Sequence, residues 1–364
     1  MNPNASMHLR SQRGMTLVEV LVGIAIGLVG MLVMFQTLTV WDARTRANNA
    51  GGDAQIAGSI AMYNIERDVR LGGMGFAGAE IAELGCNVVG FDNTASAPVG
   101  FPLVPVRIVD NDLTDQPDQV IVFYGDAPFF DARESYTNAT AVDARARSRV
   151  GFKAGDLAVM TDRACTQRLV QVTNNPTPAD DKTLIHAAGS YTNFYTGTTG
   201  PARFNTAAGT GAALVDGNVY NLGPIPRRNV WSIDAATNTI GFTDELGATA
   251  GFFGVAEGVI DMKAQYGIDT GVWTKTAPAD WSRVRAVRVA ILVRSKNFEK
   301  PAASAREASW VASNPAWSGG NFVMKNVDGT LPDSAALGDP NNWRHYRYKV
   351  YERIIPLRNM IWNH

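Results

Sequence analysis

Between Glu19 and Asp42 the chain runs for 22 residues without a charge, "VLVGIAIGLVGMLVMFQTLTVW". At about 1.5 Å of rise per residue, a helix of that length matches a hydrocarbon core of about 30 Å, so the segment can span a bilayer. The preceding flank carries Arg10 and Arg13 and no acid, as the positive-inside rule expects of a short cytoplasmic segment. The far flank has Arg44 and Arg46 beside Asp42, so charge counting orients the helix only by a small margin.

The rest of the chain reads as globular. Its 364 residues are 46% hydrophobic and 18% charged, which supplies a core and excludes wholesale disorder. The length allows two domains or one large β-rich one. With 33 basic residues against 34 acidic ones, the net charge of -1 gives no electrostatic reason to expect nucleic acid.

Glu19 is the anomaly. An ionised acid at a helix centre in lipid costs roughly 2.5–3.5 kcal/mol on insertion scales and less near an end, so it seeks a cation. Taken alone, it is better explained as an acid at the positive end of a helix macrodipole. No A-x-A cleavage site follows the apolar run, as a secretory signal would require. Instead Gly14 closes the basic leader and is followed by "MTLVEVLVGIAIG". This arrangement resembles the class III signal of type IV prepilins and pseudopilins. The resemblance implies that a membrane aspartyl peptidase cuts between Gly14 and Met15, that Met15 is N-methylated, and that Glu19, the fifth mature residue, pairs with a neighbouring subunit's terminal amine. Met15 departs from the Phe with which most of the family begin.

Gly23, Gly27 and Gly30 form a small-residue face of the kind that lets membrane helices pack closely; tolerance of glycine in a lipid-facing helix explains them equally well. Farther on, Ile56, Ile60 and Tyr63 fall at helical spacing, with Met62, Ile65 and Val69 on an adjoining stripe. "NNAGGD" at 48–53 offers an early break, and Gly72 and Gly73 offer the stop. Beyond them, strands are predicted at 119–125, 156–162, 167–174, 183–189, 258–269, 284–295 and 347–357, with 190–213 as a surface loop.

Cys86 and Cys165, an even pair in a segment expected to be periplasmic, predict a disulfide; two buried thiols are the alternative. Asp110, Asp112, Asp115 and Asp118 supply the hard oxygen ligands calcium takes but lack the EF-hand spacing, which favours a solvated turn. His8, His186, His345 and His364 show no metal-ligand spacing. No nucleophile elbow, phosphate loop or zinc motif appears, so neither catalysis nor a cofactor is expected. "RHYRYKVYERIIPLR" interleaves cations and aromatics as a single-strand binder does, but reads more simply as a half-buried strand with a charged face.

"RDVRLGGMGFAG", "VIDMKAQYGIDT", "WSRVRAVRVAILVRS" and "YERIIPLRNMIW" resemble the PilW family of type IV pilus assembly proteins. The implied fold is α+β and type IV pilin-like: leader 1–14, transmembrane and assembly helix 15–71, and a large, mainly antiparallel β head at 72–364 in the periplasm. The implied function is non-enzymatic. A minor pilin, anchored in the inner membrane and handled there by prepilin peptidase and the assembly platform, would associate with other minor pilins to prime pilus assembly. Major pilin would then be added below, leaving this subunit at or near the pilus tip, beside a tip adhesin where one is present. A minor pseudopilin of a type II secretion system and a membrane-anchored adhesin or DNA-binding module remain as alternatives.

Overall fold

The computed structural model describes residues 14–111, 116–128, 133–162, 164–207, 214–248, 251–299, 311, 313–336 and 338–361, without the side chains of 43, 44, 46–50 and 361. Two compact units divide between Gly52 and Asp53. The N-terminal unit is helical. Its helix, Leu17–Leu71, runs without interruption through the "NNAGGD" segment, so those glycines do not end it. The helix starts where the sequence caps it. Glu19 donates its backbone N–H to Thr16 Oγ1 at 3.3 Å, satisfying one of the orphan donors of a helix start, and Val20 makes the first regular helical bond, to the Thr16 carbonyl at 3.2 Å. From Leu17 to Asp42 none of the apolar surface is buried within the chain.

The remainder of the helix, from Asp53, belongs to the head. Ala61, Met62, Ile65 and Val69 are buried in its main core, where a fully buried aliphatic side chain contributes roughly 1.5–3 kcal/mol. Ile56, Ile60 and Tyr63 face outward instead, so one of the two apolar stripes in the sequence is core and the other is surface. The helix ends at a glycine pair. Gly73 takes φ +85°, and a Cβ on Gly72 would lie 2.9 Å from the Pro105 carbonyl, so neither position accepts a side chain cheaply.

Three large, mainly antiparallel sheets and two two-stranded ones build the head among the described residues. The eight-stranded sheet runs in the order Ala97–Pro102, Asn87–Asp92, Gln167–Gln171, Leu157–Thr161, Leu214–Gly223, Glu134–Ala139, Asp143–Ala146, Thr183–Ile185. One seam in it is parallel: Asn87–Asp92 meets Gln167–Gln171 through the pairs Val88 with Gln167 and Val89 with Arg168. The five-stranded sheet runs Phe252–Glu257, Thr239–Asp244, Arg227–Asp234, Gln119–Tyr124, Val106–Val109, and the four-stranded sheet runs Trp273–Thr274, Val259–Ile268, Val284–Arg294, Tyr348–Pro356. The fold is α+β, an N-terminal apolar helix followed by a large, mainly antiparallel head.

All seven strands predicted from the sequence are present within a few residues of their expected bounds. The expected loop at 190–213 is corrected in its first part. Ser190–Thr192 pairs with Thr199–Pro201 as a short hairpin, because the Thr-rich arms pair across the Gly197 turn; residues 208–213 lie outside the described residues.

Candidate functional site: the N-terminal helix and its anchorage

Gly14 and Met15 precede the first helical turn and are exposed; residues 1–13 of the expected leader lie outside the described residues. Glu19 sits in that first turn. Thr16 and Glu19 together form the Thr-x-x-Glu arrangement of a capping box, a signal legible in "TLVE" that the charge argument alone passes over. Among the described residues no cation pairs with the Glu19 carboxylate. From Glu19 to Gly23, to Gly27 and to Gly30 the steps are four, four and three residues, so all four positions lie along one stripe of the helix. A Cβ built on any of the three glycines meets nothing within 4 Å. The acid and the narrow helix surface are thus presented on the same side, with nothing among the described residues to cover them.

The other end of the helix is tied down by a second acid. Asp68 is 2% exposed and accepts hydrogen bonds from Trp231 Nε1 at 2.9 Å, Asn229 Nδ2 at 2.7 Å and the Tyr124 hydroxyl at 3.2 Å. These donors stand on two adjacent strands of the five-stranded sheet, so one carboxylate fixes the last helical turns against that sheet. Sequence reading missed it. A buried acid matched by three donors far along the chain has no local signature.

The head holds two further buried acid clusters. Glu83, 4% exposed, accepts from the Glu80 N–H at 2.9 Å, from Asn218 Nδ2 at 2.7 Å and from the hydroxyls of Thr161 and Tyr220. Three residues on, Cys86 is joined by a disulfide to Cys165 with a Cα–Cα distance of 5.3 Å. The other cluster corrects the expected solvated turn at Asp118 alone, since Asp110 is exposed. Asp118 is fully buried because it caps two backbone amides, accepting from Ala264 N–H at 3.0 Å and Asn111 N–H at 3.2 Å, with Lys263 Nζ 3.5 Å away. Burial pushes the Asp118 carboxyl above the usual range against the pull of Lys263, and pushes that of neighbouring Asp261 up to about 7. Asp112 and Asp115 lie outside the described residues. No group of three or more His, Cys, Asp or Glu among the described residues is arranged to hold a metal ion.

His186 and His345 are both buried and far apart in the chain; His8 and His364 lie outside the described residues. The aromatics of the 344–358 segment serve the head itself. Tyr346 is buried and donates to the Pro340 carbonyl at 2.7 Å, and Tyr348 donates to the Trp343 carbonyl at 2.8 Å, which leaves no open stacking platform at these two rings.

Comparison with known families bears on both ends of the chain. The prokaryotic N-terminal methylation motif matches residues 9–35, the stretch holding Gly14, Met15, Glu19 and the three glycines. The type IV pilus-assembly protein W family matches residues 245–359, which contain the whole four-stranded sheet and the edge strand Phe252–Glu257. Together these two matches support a PilW-type pilin with a prepilin signal. In this pilin the apolar helix and the prepilin motif together mark a membrane-anchored subunit, and the family is one of structural pilus components that interact with other pilus components, not one of enzymes. The chain matches none of the curated proteins. Among solved structures, a type IV-like pilin from Thermus thermophilus aligns over 83% of this pilin and 94% of its own chain, at 10% identity and a TM-score of 0.32.

Proposed function

We propose that this PilW-type pilin is a minor pilin that helps to initiate pilus assembly and is incorporated at or near the tip, with its head in the periplasm until then. The observation that carries the reading is the uncovered stripe of Glu19, Gly23, Gly27 and Gly30, a packing face and an unpaired charge that only another subunit completes. Prepilin peptidase would cut between Gly14 and Met15, and the freed, N-methylated amine of a neighbour is the cation Glu19 lacks. Transfer from lipid into the filament then pairs the two charges, which favours assembly over free diffusion in the membrane. Other minor pilins, major pilin and the inner-membrane platform are the partners this implies. The size of the head suits a position used once, because a shaft subunit must repeat against copies of itself.

The test compares membrane and sheared-pilus fractions for the native protein and Glu19→Gln, which keeps the shape and removes the charge. Insertion is expected to be unchanged while the amount in pili falls at least fivefold. Equal incorporation with normal pilus numbers would show that Glu19 is not needed for assembly at this subunit, and would favour either an extreme-tip position with no neighbour ahead or an acid that serves only the helix macrodipole.

A further inference from the structure

Sheet edges present unpaired backbone donors and acceptors, and natural proteins blunt them. The three large sheets have six edges among the described residues, and five are blunted. Strand Ala97–Pro102 carries prolines at both ends of its outer run, Pro98 and Pro102. Thr183–Ile185 is three residues long, and Ile185 is bonded on both sides, donating to Asn174 Oδ1 at 2.9 Å and accepting from the Thr173 N–H at 2.8 Å. Trp273–Thr274 has two residues. Val106–Val109 is covered, with the Ile108 N–H bonded to the Tyr266 hydroxyl at 2.5 Å. Tyr348–Pro356 carries Lys349, Glu352, Arg353 and Pro356.

Phe252–Glu257 has none of these protections except a register shift opposite Ile240 and Gly241, which leaves Phe252–Gly254 as the flat run. Its sequence, "FFGVAE", has no proline or basic residue, and its one charge, Glu257, is already paired with Lys296 at 2.8 Å. Phe252 and Phe253 are exposed. The rings Trp231, Phe242 and Phe253 occupy paired positions on three successive strands with centroids 5.2 and 5.5 Å apart, so an aromatic ladder leaves the core and ends at the open edge. Cross-strand aromatic pairs of this kind stabilise sheets, and the last ring lacks its outer neighbour.

We propose that the free edge of Phe252–Glu257 accepts an extended, uncharged apolar segment of a neighbouring pilus subunit as an added strand, with an aromatic or β-branched side chain set beside Phe253. Main-chain bonds supply the affinity and the Phe253 neighbour supplies selectivity. Six residues of strand are a small contact beside the roughly 20–30 residues a side of a free-standing interface. The edge is therefore too small to join two free molecules, and suits a partner that its own membrane helix already holds at high local concentration. The identity of that partner rests on the pilus-assembly reading.

Full-length protein carrying the photo-crosslinker p-benzoylphenylalanine in place of Phe253, in native membranes with the other pilus subunits, tests the proposal. Irradiation of the membrane fraction is expected to yield an adduct with a different subunit that has an N-terminal apolar helix, mapped to an extended segment. The same crosslinker at Ile354 on the charged edge Tyr348–Pro356 is expected to give at least tenfold less. Crosslinking from position 252 is expected to drop by at least tenfold in Phe253→Lys, with an unchanged Cys86–Cys165 disulfide reporting a folded head. If that variant loses its fold, the comparison of positions 253 and 354 decides by itself. No adduct at 253, equal yields from 253 and 354, or an adduct only with a second copy or with an unanchored protein would overturn the proposal. Absence of the protein from sheared pili would speak against the assembly reading separately, since the crosslink is read in the membrane.

Discussion

Asp68→Ala removes the acid that fixes the end of the long helix to the five-stranded sheet. Trp231 and Asn229 are 1% and 3% exposed, so once the carboxylate is gone the Trp231 indole N–H has no partner and Asn229 Nδ2 keeps only a long bond to the Tyr124 hydroxyl at 3.4 Å. Each orphaned buried donor costs about 1–3 kcal/mol. Tyr124, only half-buried, can turn its hydroxyl to solvent and adds little. Release of a buried carboxylate offsets part of the loss, which places the expected destabilisation near 3 kcal/mol. Arg70→Ala is the matched control two residues away. It deletes a half-exposed Arg70–Glu66 pair at i,i+4, worth about 0.3–0.5 kcal/mol. Urea unfolding of the detergent-solubilised full chain, followed by tryptophan fluorescence, measures both. The reasoning is refuted if Asp68→Ala loses less than about 1 kcal/mol, or no more than Arg70→Ala, because the carboxylate would then not hold the helix to the sheet.

Gly14→Glu is expected to leave the leader attached, seen as an unprocessed intact mass; a mature start at Met15 in that variant would refute Gly14 as the recognition residue. Mass mapping without reductant is expected to recover Cys86 linked to Cys165, and Cys86→Ser with Cys165→Ser is expected to lose up to about 4.5 kcal/mol in the chain-entropy treatment of a loop with separation 79. Burial holds the His186 imidazole below its ordinary value against a smaller opposing pull from Asp143. Its folded state thus binds the proton less readily than the unfolded chain does. This contribution is flat above about pH 6.5 and destabilises as pH falls below it, at up to about 1.4 kcal/mol per pH unit. His186→Asn is expected to flatten that acid limb in unfolding experiments at pH 5–7; an unchanged slope refutes it.

Much of the fold was legible because its signals are local. The apolar run and its flanks announce a membrane helix, Gly72 and Gly73 its end, and β-branched runs such as "RAVRVAILV" a central strand. The strands that escaped are of mixed composition. Leu214–Gly223 contains Asp216, Gly217 and two asparagines, and is fixed as a strand by neighbours on both sides rather than by propensity. Phe252–Glu257 likewise gains its place from pairing with Thr239–Asp244. The proposed helix site rests on Gly14, Glu19 and the glycines, which are read from one local stretch, whereas its anchorage is not local: Asp68 meets Trp231 and Asn229 across 163 and 161 residues, and Glu83 meets Tyr220 across 137. No window of sequence contains both halves of such a contact.

The parallel seam of the eight-stranded sheet carries a consequence for how the head opens. The hairpin formed by Asn87–Asp92 and Ala97–Pro102 is joined to the rest of that sheet through two residue pairs, with Cys86 at one end tethered to Cys165 and Asp92 at the other bonded to Arg203 at 2.6 Å. Reduction therefore does not soften the head evenly. It releases one end of a hairpin whose ladder is already short, so the amides at the Val88 and Val89 seam lose protection against solvent exchange before those of the long antiparallel pair Val259–Ile268 and Val284–Arg294. Loss of the disulfide is then expected to open one corner of the head before the sheet nearest the C-terminus gives way.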